Sequence, residues 1–131
     1  MELIKFEMGD ELYGLDIKYI DEIVESKEVT KIPNSSEEIE GVMDLRGQTT
    51  SIINLKYMFD IDSENIGNYI IILNTDSKGF RVDNVNNIVE VESEDINKEI
   101  SKDENMIEGV INIEDEFVVL IEPKNYINKR V

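Results

Sequence analysis

The side chains of this chain that offer chemistry are mostly carboxylates. It has 30 Asp plus Glu among 131 residues against 13 Lys plus Arg, a formal charge of -17. At that density neighbouring acids such as Asp21-Glu22, Glu37-Glu38 and Asp115-Glu116 arise without any catalytic demand. Glycoside hydrolysis needs two carboxylates at a set separation in a sugar-sized cleft, usually with aromatic walls, and the chain has 0 Trp, 5 Tyr and 4 Phe. A carboxylate hydrolase is the enzymatic alternative, and it requires a deep pocket holding a strongly shifted acid. With 0 Cys and 0 His, thiol nucleophiles, Ser-His-Asp triads, imidazole bases and zinc fingers are excluded, and no disulfide forms.

One cation stands apart from the acids. Gly41-Val42-Met43-Asp44-Leu45 alternates as a half-buried strand, meets Arg46-Gly47, and resumes as Ser51-Ile52-Ile53-Asn54-Leu55. That pattern predicts a β-hairpin with Arg46 at its tip. A guanidinium presents a rigid fork of donors suited to a partner's carboxylate or backbone carbonyls. The plainer alternative is a solvated turn arginine paired with a nearby Glu.

No metal or cofactor is expected. Asp60-Ile61-Asp62-Ser63-Glu64-Asn65-Ile66-Gly67 superficially resembles a calcium loop, but such a loop needs glycine sixth and a bidentate Glu twelfth. Here Gly67 is eighth and Ile71 twelfth, so the segment reads as a polar connection. The glycines are isolated in turns and build no phosphate-binding loop. The charge opposes nucleic acid and direct contact with anionic membranes. Met1 to Phe6 enters an alternating pattern at once, unlike a signal peptide, and apolar runs such as Tyr69 to Leu73 are too short to span a bilayer. A cytoplasmic location is expected, which makes the Asn34-Ser35-Ser36 glycosylation triplet moot.

The positioning elements follow in order. Leu3, Ile4, Phe6 and Met8 alternate, Gly9-Asp10-Glu11 turns, and Leu12, Tyr13, Leu15 and Ile17 return, which predicts a hairpin. The spacing of Ile20, Ile23 and Val24 fits a helical turn or a strand, and the β-branched content favours strand through Val29. Pro33 to Glu38 carries a helix start signal with room for about two turns before Gly41. Lys56 to Phe59 suits one helical turn, and Tyr69 to Leu73 a buried strand.

The second half repeats the first. Gly14 to Glu25 lies over Gly79 to Glu90 at an offset of 65, with coinciding apolar positions, and Ile39-Glu40-Gly41-Val42 lies over Ile107-Glu108-Gly109-Val110 at an offset of 68. The three extra residues fall in the acidic connection between Val91 and Met106. Each half supplies about five short strands, the number of a small barrel that hides its sheet edges. Scaffold residues should recur between halves, and partner-specific residues need not. Gly41 and Gly109 recur, whereas Arg46 meets Glu114 and Glu22 meets Asn87.

Ile39 to Leu55 resembles the CheW family, the coupling proteins of bacterial chemotaxis, whose pattern is roughly I-x-G-V-x-N-L-R-G followed by P-I-V-D-L. Gly41, Val42, Leu45, Arg46, Gly47, Ile52 and Leu55 match, and Asp44, Ser51 and Asn54 depart from the family's Asn, Pro and Asp. The resemblance extends through Gly9 to Ile17 and Ile32-Pro33-Asn34 and, more loosely, to the C-terminus. It implies a mainly β chain, 1–131, of two SH3-like five-stranded barrels packed about a shared core, with short helical turns. The subdomains are expected near 14–66 and 67–131, the N-terminal strand 1–13 packing on or crossing between them.

The family also implies a non-catalytic adaptor that joins the cytoplasmic signalling tip of a chemoreceptor to the regulatory domain of a histidine kinase. Carried over residue by residue, the receptor-facing positions are Ile20, Glu22 and Arg46, with Val24 lining the groove where the halves meet. Kinase contacts would lie on the barrel ends. A divergent paralogue serving another signalling array is the alternative that the three departures motivate.

Overall fold

Period-two alternation along most of the chain produces ten strands among the residues described by the computed structural model, which are 1–26, 28–33, 36–63, 67–74, 77–100 and 106–123. They are β1 (Glu2–Met8), β2 (Glu11–Asp16), β3 (Ile20–Glu25), β4 (Ile39–Leu45), β5 (Gln48–Asn54), β6 (Tyr69–Leu73), β7 (Lys78–Val82), β8 (Asn84–Glu90), β9 (Ile107–Ile113) and β10 (Glu116–Ile121). One helical turn, α1 (Leu55–Met58), follows β5, capped by the Asn54 side chain, which accepts from the Tyr57 amide. Single 3-10 turns occupy Ile17–Tyr19, Ser93–Asp95 and Lys98–Ile100.

Two five-stranded sheets result, ordered β3-β6-β7-β5-β4 and β8-β1-β2-β10-β9. Moving every strand five places along the chain converts the first order into the second, with β6 and β7 answering to β1 and β2. The inferred repeat therefore extends to pairing. Val24 faces Ile70 as Val89 faces Leu3, and Ile20 faces Leu73 as Val85 faces Phe6, with a register shift inside each pairing. Gly14 lies opposite Leu120 and Gly79 opposite Ile52, both across parallel ladders. These relations set the offset from β1 to β6 at 67, beside 65 and 68 elsewhere.

The sheets cut across the expected division at residue 67. Strands β6 and β7 complete the sheet of β3, β4 and β5, while β1 and β2 complete that of β8, β9 and β10. Burial explains the exchange. Leu3 to Phe6 and Ile70 to Leu73 are continuously buried, the signature of strands covered on both faces, and each lies between two neighbours in the other half's sheet. The N-terminal strand thus crosses into the second sheet.

Three apolar clusters follow from this arrangement. The largest draws on both sheets and includes Phe6, Tyr13, Leu15, Ile53, Ile71, Phe80 and Ile121. Each sheet also has its own: Met43, Ile52, Ile70 and Ile72 in the first, Leu3, Ile111, Val118 and Leu120 in the second. A shared core flanked by two private ones agrees with two SH3-like subdomains.

Gly41 and Gly109 are scaffold glycines. A Cβ on Gly41 would lie 2.4 Å from the Thr30 carbonyl oxygen, and one on Gly109 2.4 Å from that of Asn97. Those carbonyls belong to matching bridges, Thr30 with Val42 and Asn97 with Val110. The helix anticipated after Pro33 does not form over Ser36 to Glu38, which turn directly into β4; Asn34 and Ser35 lie outside the described residues. There the Asn54 amide donates to the Glu38 carbonyl at 2.7 Å, drawing the segment onto the ladder. Strand β3 ends at Glu25 rather than Val29, because its partner β6 begins at Tyr69.

Candidate functional site

Arg46 and Gly47 are the two central residues of the β4-β5 hairpin, closed by the Leu45–Gln48 pair. Both have positive φ, 52° and 82°, the primed turn that matches strand twist in two-residue loops. Glu114 and Asp115 repeat the turn with φ of 52° and 68°. The backbone geometry is therefore scaffold, and only the side chain at its tip differs.

The Arg46 side chain is 71% exposed, and its Nη2 pairs with Oε2 of Glu22 on β3, a side chain 22% exposed. This contact ties the hairpin tip to the edge strand of the same sheet. The other Glu22 oxygen, Oε1, is buried without a hydrogen-bond partner. Glu22 is thus held with one oxygen on Arg46, and an exposed pair of this kind stabilises by at most ~1 kcal/mol.

The remaining expected site residues are placed on either side of β3. Ile20 is half-buried against the shared core, and Val24 is half-buried against the private cluster of the first sheet. The register shift between Ile20 and Glu22 separates them. The structure thus joins Glu22 to Arg46 and splits the two apolar residues between opposite faces.

The departures from the family pattern are locally accommodated. Ser51 donates its amide to the Ser77 carbonyl at 2.9 Å, a bond that proline cannot make. Asn54 caps α1 as well as Asp would. Asp44 is exposed opposite Thr49. The adjacent acids considered for hydrolysis are engaged elsewhere or solvated: Glu22 is on Arg46, Glu116 lies 3.7 Å from Lys5, and Glu37 is exposed.

Two buried charges hold the frame. Arg81, 8% exposed on β7, donates from Nε to both Glu40 oxygens at 2.9 Å and from Nη2 to Oε2 at 2.7 Å, and Nη1 reaches the Ser26 hydroxyl. Asp83, 3% exposed, accepts from the Gly9 amide at 2.7 Å and pairs with Lys56, locking the β1-β2 turn to α1. A lone cation inside the apolar run Gly79 to Val82 is the signal that marks Arg81. Nothing comparable marks Asp83, whose partners are remote in sequence.

Burial, reinforced by the Glu11 carboxylate that accepts its hydroxyl, holds the Tyr13 phenol well above its ordinary range. Tyr19 is raised likewise, by burial first and then by Glu122. Among the described residues no group of three or more His, Cys, Asp or Glu is arranged to hold a metal ion, and no helix is long and apolar enough to cross a membrane.

The model of the CheW-like domain matches residues 2–131. The chain is 34% identical to the chemotaxis protein CheW of Treponema pallidum over 103 residues, covering 72% of this chain and 61% of that protein. It is 28% identical to that of Thermotoga maritima, covering 69% and 62%. The chain therefore spans less than two thirds of the length of these relatives. Among solved structures, the scaffolding protein TtCheW of Thermoanaerobacter tengcongensis matches with a TM-score of 0.84 and 30% identity, covering 92% of this chain and 83% of that one.

Proposed function

The chain belongs to the CheW-like domain family, and from that premise we propose that it is a non-catalytic adaptor of chemotaxis signalling in the cytoplasm. In this reading it couples the cytoplasmic tip of a chemoreceptor to the regulatory domain of a histidine kinase, and its output is the relative placement of the two. Ile20, Glu22, Val24 and Arg46 form the receptor side. The kinase would be engaged at the barrel ends.

The observation that carries the reading is an asymmetry inside a faithful repeat. Both hairpin tips have two positive-φ residues, 52° and 82° against 52° and 68°, yet one presents Arg46 paired to Glu22 and the other presents Glu114, with Asn87 at the repeat position of Glu22. Folding demands the turn and not the charge, so the cation is free to serve recognition. Ile20 and Val24 anchor β3 from its two faces, which holds Glu22 in place for its pairing with Arg46.

The direct test is a pull-down of the full chain with an isolated receptor signalling tip and, separately, with a kinase regulatory domain. Binding to both, and a ternary complex when all three are mixed, is expected. Binding to neither would leave a paralogue of another array as the better reading.

A further inference from the structure

A cleft of about 1160 Å³ opens at the second sheet, remote from Arg46. It lies between the two edge strands β8 and β9, represented by Asn86 and by Val110 and Asn112, and is floored by Leu12, Phe117 and Val119. Five carboxylates line it, Glu7, Asp10, Glu11, Asp95 and Glu116, with no Lys or Arg among the described lining residues. Two of these acids have internal partners: Glu11 accepts from Tyr13, and Glu116 lies 3.7 Å from Lys5. Phe117 is 71% exposed, the most exposed of the large apolar side chains described.

The repeat shows that this lining is not required by the fold. At the offsets of 65 and 68, Leu12, Phe117 and Val119 correspond to Ser77, Thr49 and Ser51, all hydroxyl residues. Glu116 corresponds to Gln48, and Glu7, at the offset of 67, to Asn74. In the first sheet Gln48 and Ser77 hydrogen-bond to each other, whereas Glu116 and Leu12 have no such bond to make. The same scaffold is thus polar and tied together at one end, and apolar, acidic and open at the other.

We propose that this cleft is a docking site for a basic segment of a partner protein that carries a large apolar side chain. The apolar residue packs on Phe117, Leu12 and Val119, and flanking Lys or Arg side chains meet the acidic rim. Charge complementarity selects this occupant. A net charge of -17 disfavours a second copy of the chain, and the rim repels phosphate and anionic lipid. The cleft volume accommodates several side chains.

The test uses the full chain and a fluorescent Lys-rich peptide with a central pair of leucines, followed by anisotropy and by backbone amide shifts. Saturable binding is expected, with shifts at Leu12, Val110, Asn112 and Val119, weakening ~10-fold or more in Phe117→Ser. It should also weaken steeply as salt rises from about 0.05 to about 0.5 M. Because Phe117 is exposed, the variant should retain its fold by circular dichroism. A leucine-to-serine peptide and a lysine-to-glutamate peptide should each bind far less. Equal binding by Phe117→Ser, or by the peptide lacking leucine, would overturn the proposal. So would Phe117-dependent self-association in sedimentation, which would make a second copy the occupant. The assay contains neither receptor nor kinase, so its failure leaves the adaptor reading untouched.

Discussion

Reversing the charge at the β4-β5 tip should separate binding from folding. The Arg46 side chain is 71% exposed and, among the described residues, pairs with a Glu22 side chain that is itself 22% exposed, so losing the pair forfeits at most ~1 kcal/mol. Arg46→Glu adds repulsion from Glu22, screened by solvent to a similar size. The stability loss should therefore stay within about 1–2 kcal/mol, and circular dichroism should show an intact β spectrum. Receptor binding is different in scale, because a central arginine anchor is worth ~2 kcal/mol or more, about 30-fold in affinity. Co-sedimentation with receptor tips should show that loss, and Arg46→Ala an intermediate one. A variant that unfolds, or that binds receptor tips as the parent does, would refute the assignment of Arg46 to recognition and leave it a turn residue paired with Glu22.

Other perturbations test the frame and the proposed receptor face. Ile20→Asp and its repeat counterpart Val85→Asp both remove an apolar side chain from the margin of the shared core and should destabilise comparably. Calorimetric titration should then show only Ile20→Asp losing receptor affinity, by ~2 kcal/mol or more, with kinase-domain affinity little changed. Arg81→Ala strands the Glu40 carboxylate and should cost about 3 kcal/mol in urea denaturation, the scale of a broken buried pair. Gly41→Ala drives a Cβ to 2.4 Å from the Thr30 oxygen and should cost about 1–3 kcal/mol, as should Gly109→Ala against Asn97. Tyr13 and Tyr19 are raised above the unfolded phenol value of about 10, so their stabilising contribution is complete below that pH. It should disappear as pH climbs toward the folded values, and alkaline unfolding monitored by phenolate absorbance should begin above pH about 10.

Much of this architecture is legible in residue order, for reasons that are local. Alternation marks the strands, paired turn residues mark the hairpins, and repeated glycines at 14 and 79 and at 41 and 109 mark the duplication. Which sheet a hairpin joins is not local. Leu3 to Phe6 announces a strand covered on both faces, but the pairing that places it between β8 and β2 depends on partners about 80 residues away. Ion pairs follow the same rule. Arg46 is visible as a cation at a turn, whereas its meeting with Glu22 required the edge strand to be placed, and Arg81 with Glu40 required β7 and β4 to be set in one sheet.

The exchange of hairpins builds a single frame beneath the two partner faces proposed above. Because β1 and β2 complete the sheet of the second half, and β6 and β7 that of the first, neither sheet can form without chain from both halves. The shared cluster, with Phe6 and Leu15 from one sheet packed on Ile71 and Phe80 from the other, ties them further. Duplication supplied two equivalent ends, and divergence at a few tip and cleft positions made them chemically distinct: Arg46 against Glu114, and Thr49 against Phe117. The positions that break the repeat are where partners should be sought, because they are the ones the scaffold does not need.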